Sequence, residues 1–507
     1  MSAAIPSTDV LIVGAGPTGL SLAVQLARWG VRHRVIERTP APHETSRALG
    51  LQPRSLMHFA GMGIADAAVA AGSIPSAANV YDRERRLLRL SLRNAGTSKQ
   101  PYRFMLAVQQ SDVERLLATR LCELGGGVER PRELVAASQD DGGVTATLDG
   151  DERVRARWLV GCDGAHSTVR HLLGVTFAGR TYPQRFLLAD AELDWPLSAE
   201  ETHAWLHPDG LFACLPMTRR GRWRLFATTE TETESGGGGG EPDASDEQAL
   251  AMWQRLLRAR TGQRSALVRG VPWTSDFQVS RRVVDRYRVG RALLAGDAAH
   301  VHSPLGGQGM NTGIQDACNL AWKLALVTCG RAPERLLDTY QEERLPVARH
   351  VVDTTDSGTR ILVSGNPVLR AVRDRVLLPL LSLKAIQARM LEETFELNVN
   401  YRGSSLSRSH GRGGPRAGDL APGGFEGTGF TLLAVGDEAM RAGHAAMAAW
   451  GGLLHVRPVA ERAVPEAYHG RGSAMYVIRP DGYVGLRCRP ASADHLEEYR
   501  QSLLGAP

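Results

Sequence analysis

Apolar runs and helical stripes alternate along the first part of the chain. Residues 9–14 (DVLIVG) are almost wholly apolar, the pattern of a strand buried on both faces of a parallel sheet. Residues 17–29 (PTGLSLAVQLARW) change period: Leu20, Ala23, Leu26 and Ala27 share one side of a predicted helix, which Gly30 ends. RVIE at 34–37, WLVGC at 158–162 and RALLAG at 291–296 predict further short strands. Between 180 and 285 the pattern becomes alternation, and TYPQRFLLADAELDW, HAWLHPDGLFACLPM and GRWRLFATTETET predict antiparallel strands. SGGGGGEPDASDE reads as a flexible insertion, followed by a helix near 246–260. Helical spacing returns at 366–395 through Val368, Leu369, Val372, Val376, Leu377, Leu380 and Leu381; core packing is expected, with a dimer face as the alternative. After the glycine- and proline-rich joint GRGGPRAGDLAPGG, the segments FTLLAVGD, LLHVRPVA, AMYVIRP and GYVGLRC predict strands. RPDGYVG reads as a hairpin turning at Asp481-Gly482.

Three of the strands end in glycine-rich chemistry. GAGPTG places Gly14, Gly16 and Gly19 in GxGxxG register between a strand and a helix. Gly14 permits a tight turn, Gly16 lets backbone approach phosphates, and Gly19 lets helix and strand pack closely. The helix N-terminus adds free N–H groups and partial positive charge. Glu37, about 20 residues on, stands where an acid accepts from ribose hydroxyls. NAD and FAD both use this motif. Two further strands, far apart in sequence, each end in an acid beside glycine: Asp163 in WLVGCDGAHSTVR and Asp297 in RALLAGD. Such ends can converge at the C-terminal edge of one sheet, where ligands of open α/β sheets bind.

Composition narrows the class. The chain has 507 residues, 43% hydrophobic and 22% charged, as soluble globular proteins do, and its length suggests about three domains. The formal charge of +6 is spread out, and no basic block is interleaved with aromatics. No nucleic-acid partner is expected. None of the six cysteines forms CxxC or a zinc-spaced cluster, which predicts reduced thiols and no metal. His300 and His302 sit at i, i+2 without an evident third ligand, so structural hydrogen bonding is expected of them. MSAAIPSTDVLIVGAG lacks a charged n-region, and its apolar run flows into the glycine motif. A cytoplasmic protein with no membrane partner is the expectation.

GxGxxG near the start, DGAHSTVR in the middle and GDAAHVHSPLGGQGMNTGIQDACNLAWKL later resemble the three fingerprints of single-component FAD-dependent aromatic hydroxylases, the group A flavoprotein monooxygenases. The likeness spans about residues 8–365. The length and the tail after 400 are most similar to the phenol and aromatic-polyketide branch, which carries a C-terminal thioredoxin-like domain. The resemblance implies an α/β architecture: a Rossmann-type FAD-binding domain (1–180 plus 281–365) with an inserted β-sheet substrate domain (181–280 with part of 75–105). A helical linker (366–400) and a thioredoxin-like α/β domain without CxxC (401–507) follow.

The resemblance also implies non-covalent FAD held by Gly14, Gly16, Pro17, Thr18, Gly19, Glu37, Arg38, Arg47, Gln110, Leu134 and Asp163. Gln109 competes with Gln110 for its place. In the third motif Gly296 and Asp297 would meet the ribityl chain and Pro304 the flat ring, with Gly307, Gly309, Met310 and Asn311 packing under its pyrimidine end. Glycines suit that loop because a flat ring approaches the main chain only where no Cβ intrudes. NADPH or NADH would be the electron donor, docking transiently, since no second GxGxxG lies between a strand and a helix after residue 150. The implied reaction is hydroxylation of a phenolic, polycyclic polyketide by O2 through a flavin hydroperoxide, in antibiotic or secondary-metabolite biosynthesis. Baeyer–Villiger oxygenation, antibiotic inactivation, and a reductase that leaves oxygen unused are the alternatives. No residue identifies itself as a catalytic base; a homodimer stays open.

Overall fold

The computed structural model describes residues 5–42, 48–93, 100–218, 221–229, 246–303, 307–363, 366–424, 427–459, 466–468 and 472–505. Arg47, Pro304 and the glycine-rich insertion at 235–240 lie outside the described residues.

The strand Ser7–Val13 runs into the helix Pro17–Arg28 and out to the strand His33–Ile36, a right-sized unit for a parallel sheet. The first strand pairs in parallel with His33–Ile36 on one side and with Arg153–Gly161 on the other. Ala292–Leu294 continues the parallel order beyond Arg153–Gly161. This arrangement places the ends of three strands, at Val13, Gly161 and Leu294, on one edge of the sheet. The glycine loop, Asp163 and Asp297 all leave from that edge. The apolar runs are buried because helices cover the faces: Val10, Leu11 and Ile12 are fully enclosed.

A second eight-stranded sheet is built on two long strands, Phe177–Asp194 and Leu267–Val284, paired antiparallel. Alternation sorts its faces. Leu187, Ala189, Trp205, Phe212, Trp223 and Leu225 pack under the helix Asp246–Thr261 around Trp253. The opposite face carries Phe186, Leu188, Leu211, Phe226, Trp273 and Phe277. On that same face Arg224 is paired with Asp190, almost fully buried, with its guanidinium 5.0 Å from the Trp273 ring. The short strand His300–Val301 joins this sheet as an edge, opposite Arg282 and Val283. The two large sheets therefore meet inside the third motif.

The linker corrects one expectation. Its segments Pro367–Val372, Arg373–Leu377, Leu378–Leu380 and Lys384–Thr394 are helical. Yet Val368, Leu369, Val372, Val376 and Leu380 are exposed; Leu377 and Leu381 are half-buried, and Leu381 packs with the buried Leu378 against the substrate-side face. The spacing was that of a helix, but a single helical stripe does not say which body, if any, covers it.

The C-terminal α/β unit holds the parallel pair Phe430–Val435 and Leu454–Pro458, with Ala474–Ile478 and Val484–Cys488 antiparallel beside them. On one face Phe430, Leu432, Met475, Val477 and Leu486 belong to the same core as the first sheet, and Trp322 meets Phe430 edge-on at 5.7 Å; on the other, Leu433, Tyr476, Ile478 and Val484 form a separate core.

Candidate active site

The glycines of the first loop divide by what surrounds them. Gly14 has a left-handed φ of +103°, and a Cβ there would run into the backbone of Cys162. A Cβ on Gly19 would strike the carbonyl of Gly14. Around Gly16 there is nothing within 4 Å. Two glycines are thus demanded by protein packing, and the third faces open space. No side chain caps the helix that begins at Pro17, so its first amides stay available to an anion.

Glu37 closes the far side of the loop. Its Oε2 accepts from the Ala15 amide at 2.9 Å, and its Oε1 from the Thr39 amide and hydroxyl at 3.0 and 3.1 Å. Burial alone would raise its pKa; these hydrogen bonds and the charge of Arg130 outweigh it and lower the pKa. Arg38 is exposed beside it. Leu134 is buried in the core at the start of a neighbouring strand. Gln110 opens the helix Gln110–Glu123 and donates to Glu114 at 2.8 Å. Its competitor Gln109 ends the preceding strand, opposite Leu49.

The second motif is tied to the third. Ser167 caps the short helix Thr168–Leu172, accepting from the Arg170 amide at 3.0 Å, and Asp163 supports it, accepting from Ser167 Oγ at 2.5 Å and the Val169 amide at 3.1 Å. Burial raises its pKa against those bonds. Arg170 is buried, lies 4.0 Å over the Phe177 ring, and donates to the Ala165 and Ala298 carbonyls at 2.7 and 3.0 Å. That last bond joins DGAHSTVR to GDAAH.

In the third motif Gly296 turns with φ +61°, and Thr18 of the first loop fills the space beside it. Gly313 also abuts Thr18. Asp297 is open to solvent, yet the protein crowding its base pushes its pKa up; His300 opposes that rise and Asp316 adds to it. Gly307 has φ +62° and no neighbour within 4 Å of a Cβ position, the same openness as Gly16. Gly309 and Met310 begin the helix Gly309–Thr328, whose N-terminus no side chain caps. Asn311 is fully buried: its amide donates to the Gly50 and Gly307 carbonyls at 3.1 and 2.8 Å and accepts from the Gln52 amide at 2.9 Å. Its side chain thus braces the turn.

Beneath the turn lies a buried ionic cluster. His300 Nε2 is 2.7 Å from Asp316 Oδ2, which also accepts from the Gly296 amide at 3.0 Å. Arg344 reaches Asp316 Oδ1 at 2.6 Å, Tyr401 Oη at 3.0 Å and the Thr312 carbonyl at 3.1 Å. Burial would raise the pKa of Asp316, but Arg344 and His300 hold it below the ordinary carboxylate value. Burial, with the charge of His300, lowers His302 to about 4, so it is neutral near pH 7. Among the described residues no cluster of three His, Cys, Asp or Glu is arranged to hold a metal.

Sequence reasoning missed Asp316, Arg344, Glu396 and the bridge made by Arg170. One signal was available. Thr312, Asp316, Asn319 and Lys323 recur at helical spacing along a helix that is buried nearly throughout. A polar stripe on a buried helix must be paired.

The geometry fits a dinucleotide carrying a flat ring. Two uncapped helix N-termini and two open glycines, with a solvent-facing acid, line one sheet edge, and a mostly apolar sheet adjoins it. That defines an α/β enzyme with a dinucleotide cleft against a substrate sheet. Residues 7–355 match the model of the FAD binding domain family. The chain is 39% identical over 412 residues to a 6-methylpretetramide 4-monooxygenase of Streptomyces rimosus, covering 80% of this chain and 72% of that one. It is 37% identical over 417 residues to a rifampicin monooxygenase of Streptomyces venezuelae, covering 82% and 83%. A solved ternary complex of aklavinone-11 hydroxylase with FAD and aklavinone superposes with a TM-score of 0.80 at 27% identity, covering 98% and 99%. The chain belongs to the FAD-binding group A flavoprotein monooxygenases, in the aromatic polyketide hydroxylase-like branch, and is an FAD-dependent monooxygenase.

Proposed function

We propose that the protein hydroxylates a polycyclic aromatic polyketide, using FAD, O2 and either NADPH or NADH. Bound flavin supplies the oxygen-activating chemistry. The chain's own residues bind, orient and shield. Gly14 and Gly19 shape the loop, and Gly16 with the amides of Thr18 and Gly19 receives the pyrophosphate. Glu37, Arg38 and Leu134 serve the adenosine half, and Gln110 and Asp297 the chain between. Arg47 and Pro304 keep the places the family motif gives them. Gly307, Gly309, Met310 and Asn311 form the rest of the ring's cradle.

The observation that carries the substrate class is the sheet face adjoining that cradle. Phe186, Leu188, Leu211 and Phe226 are buried there and Trp273 and Phe277 partly buried, an apolar and aromatic lining suited to a flat multi-ring molecule. The likeness to a 6-methylpretetramide monooxygenase and to an aklavinone hydroxylase supports the same class. The likeness to a rifampicin monooxygenase favours a second reading, oxygenation that inactivates an antibiotic.

NAD(P)H oxidation under air, with a panel of polycyclic and simple phenols and parallel product masses, separates these. Substrate-stimulated oxidation with gain of one oxygen atom supports hydroxylation. The same gain with a carbon–carbon bond opened to an ester means Baeyer–Villiger chemistry. Oxidation stimulated only by an ansamycin-type antibiotic selects the inactivating role. Bound FAD with no nicotinamide oxidation in the presence of any of these compounds overturns the proposal for them.

A further inference from the structure

Glu396 is a buried acid that nothing above has used. It lies where the linker ends, with a left-handed φ of +55°, a conformation that a residue other than glycine adopts only when its surroundings hold it there. Its Oε2 accepts from the Gln315 side-chain amide, and its Oε1 lies 2.7 Å from Thr312 Oγ1. Thr312 Oγ1 also lies 3.0 Å from the carbonyl oxygen of Gln308. Gln308 is the residue before the helix on whose first turn the flavin cradle ends. Its own side-chain amide reaches back to the Glu393 and Thr394 carbonyls at 3.5 and 3.4 Å.

Counting hydrogens decides what this geometry means. A threonine hydroxyl has one hydrogen and can donate once. An ionised Glu396 can only accept. Thr312 would then have to choose between the carboxylate and the Gln308 carbonyl, leaving one close oxygen pair with no hydrogen between them. If Glu396 carries a proton on Oε1, both contacts are hydrogen bonds: Glu396 donates to Thr312, and Thr312 donates to Gln308. Oε2 is then the acid's carbonyl, which the Gln315 amide satisfies. We propose that Glu396 is held as a neutral carboxylic acid and is a positioning residue for the flavin cradle, its proton fixing the Gln308 turn through Thr312.

The surroundings agree. Burial pushes the Glu396 carboxyl up to about 7, against the hydrogen bonds of Thr312 and Gln315 and the charge of Arg344. Asp316, on the same helix as Thr312, adds to the rise. Arg344 is already bound to Asp316 and Tyr401, and on Glu396's own segment Glu393 faces outward to His350 at 3.4 Å. No cation makes an ion pair with Glu396 among the described residues. On ionisation the Thr312 hydrogen turns to the carboxylate, and the Gln308 carbonyl keeps only the Thr312 amide at 2.8 Å.

The inference rests on the proposal that this turn cradles FAD, and two measurements keep the two apart. The first is the carboxylic-acid carbonyl band in the infrared spectrum of the apoprotein, followed with pH. A band present at pH 6, lost as pH rises, and absent from Glu396→Gln shows the neutral acid without any flavin. A spectrum unchanged by that substitution overturns it. The second is FAD affinity from quenching of flavin fluorescence between pH 5.5 and 9. The wild type is expected to weaken about fivefold as Glu396 ionises, the worth of one hydrogen bond. Glu396→Gln keeps both bonds, because an amide donates to Thr312 and accepts from Gln315; it should bind as the wild type does at low pH, with no step. Thr312→Val removes the relay and should bind weakly at every pH, also with no step. A step that survives in Glu396→Gln overturns the positioning role. Failure to bind FAD at any pH overturns both that role and the cofactor reading, while the infrared band still reports whether the acid is neutral.

Discussion

Between Gly14 and Gly19 the chain is shaped by missing atoms, whereas between Gly296 and Asp316 it is shaped by buried charge. In the first loop two glycines let backbone touch backbone, and the only acid, Glu37, sits half-exposed at the rim. In the third motif the turn rests on His300, Asp316 and Arg344, with side chains at most 1% exposed. The first arrangement is local and cheap: strand, turn and helix follow one another within a few dozen residues. The second draws partners from helices far apart in sequence and must offset the desolvation of full charges. One consequence is a different mode of failure. A misplaced methyl blocks the first loop, while a lost partner in the third motif leaves a charge stranded.

Four substitutions and one titration would test that contrast. Arg344→Ala should have the largest effect, because it leaves Asp316 Oδ1 without its cation and only His300 and the Gly296 amide on Oδ2; a loss of about 3–5 kcal/mol in chemical denaturation is expected. A loss below about 1 kcal/mol would mean the cluster carries no such strain. Gly19→Ala should follow closely, since its Cβ meets the Gly14 carbonyl; melting temperature and FAD retention should fall together. Gly16→Ala is the discriminating partner. Its Cβ meets no protein atom, so the apoprotein should melt as the wild type does while FAD affinity drops about tenfold or more. Equal melting losses in both glycine variants would erase the distinction between packing and ligand glycines.

The pH profile of apoprotein stability comes next. Folded Glu396 holds its proton more tightly than the unfolded chain, so its contribution is full below pH about 4.5 and is lost as pH rises through about 7. That loss is on the order of 3 kcal/mol, and Glu396→Gln should remove it. Asp316, Glu343 and Glu37 have the opposite sign. Their lowered values contribute stability above the ordinary carboxylate range and lose it as pH falls through their folded values. The smallest effect belongs to the rim: Arg32, 73% exposed beside Asp9, should cost under about 1 kcal/mol on replacement by alanine.

The difference between the two regions is also a difference in legibility. GAGPTG announces itself because its constraint is steric and local, and the strand before it and helix after it can be read from period alone. The fold class and the flavoenzyme family followed from that motif and its two companions. The charge cluster could not be read the same way. Asp316 was visible inside the third motif, but Arg344 lies 28 residues away and Glu396 another 52 beyond it. Pairing across such distances is decided by how helices pack. Asp163 shows a subtler gap: it was read as a cofactor contact, and its hydrogen bonds to Ser167 and the first turn of the following helix were not foreseen. The linker shows the reverse error, since the stripe from Val368 to Leu380 looked like core and is exposed.

The buried helix Gly309–Thr328 continues past the cradle to Asn319 and Lys323, where it meets the C-terminal unit. There Glu343 accepts from Lys323 at 2.7 Å and from Arg479 at 2.6 and 2.9 Å, and Arg479 also holds Asp481 at 2.5 Å. For the gene, a stop codon or frameshift just after position 400 should therefore behave as a null allele. The shortened product would expose Trp322, leave Lys323 and Glu343 without Arg479, and lose its grip on the helix that begins at the proposed flavin cradle. Domain shuffling at this joint faces the same barrier: a tail from another member would have to bring its own counter-ions, in register, before the part ahead of the joint could fold around its cofactor.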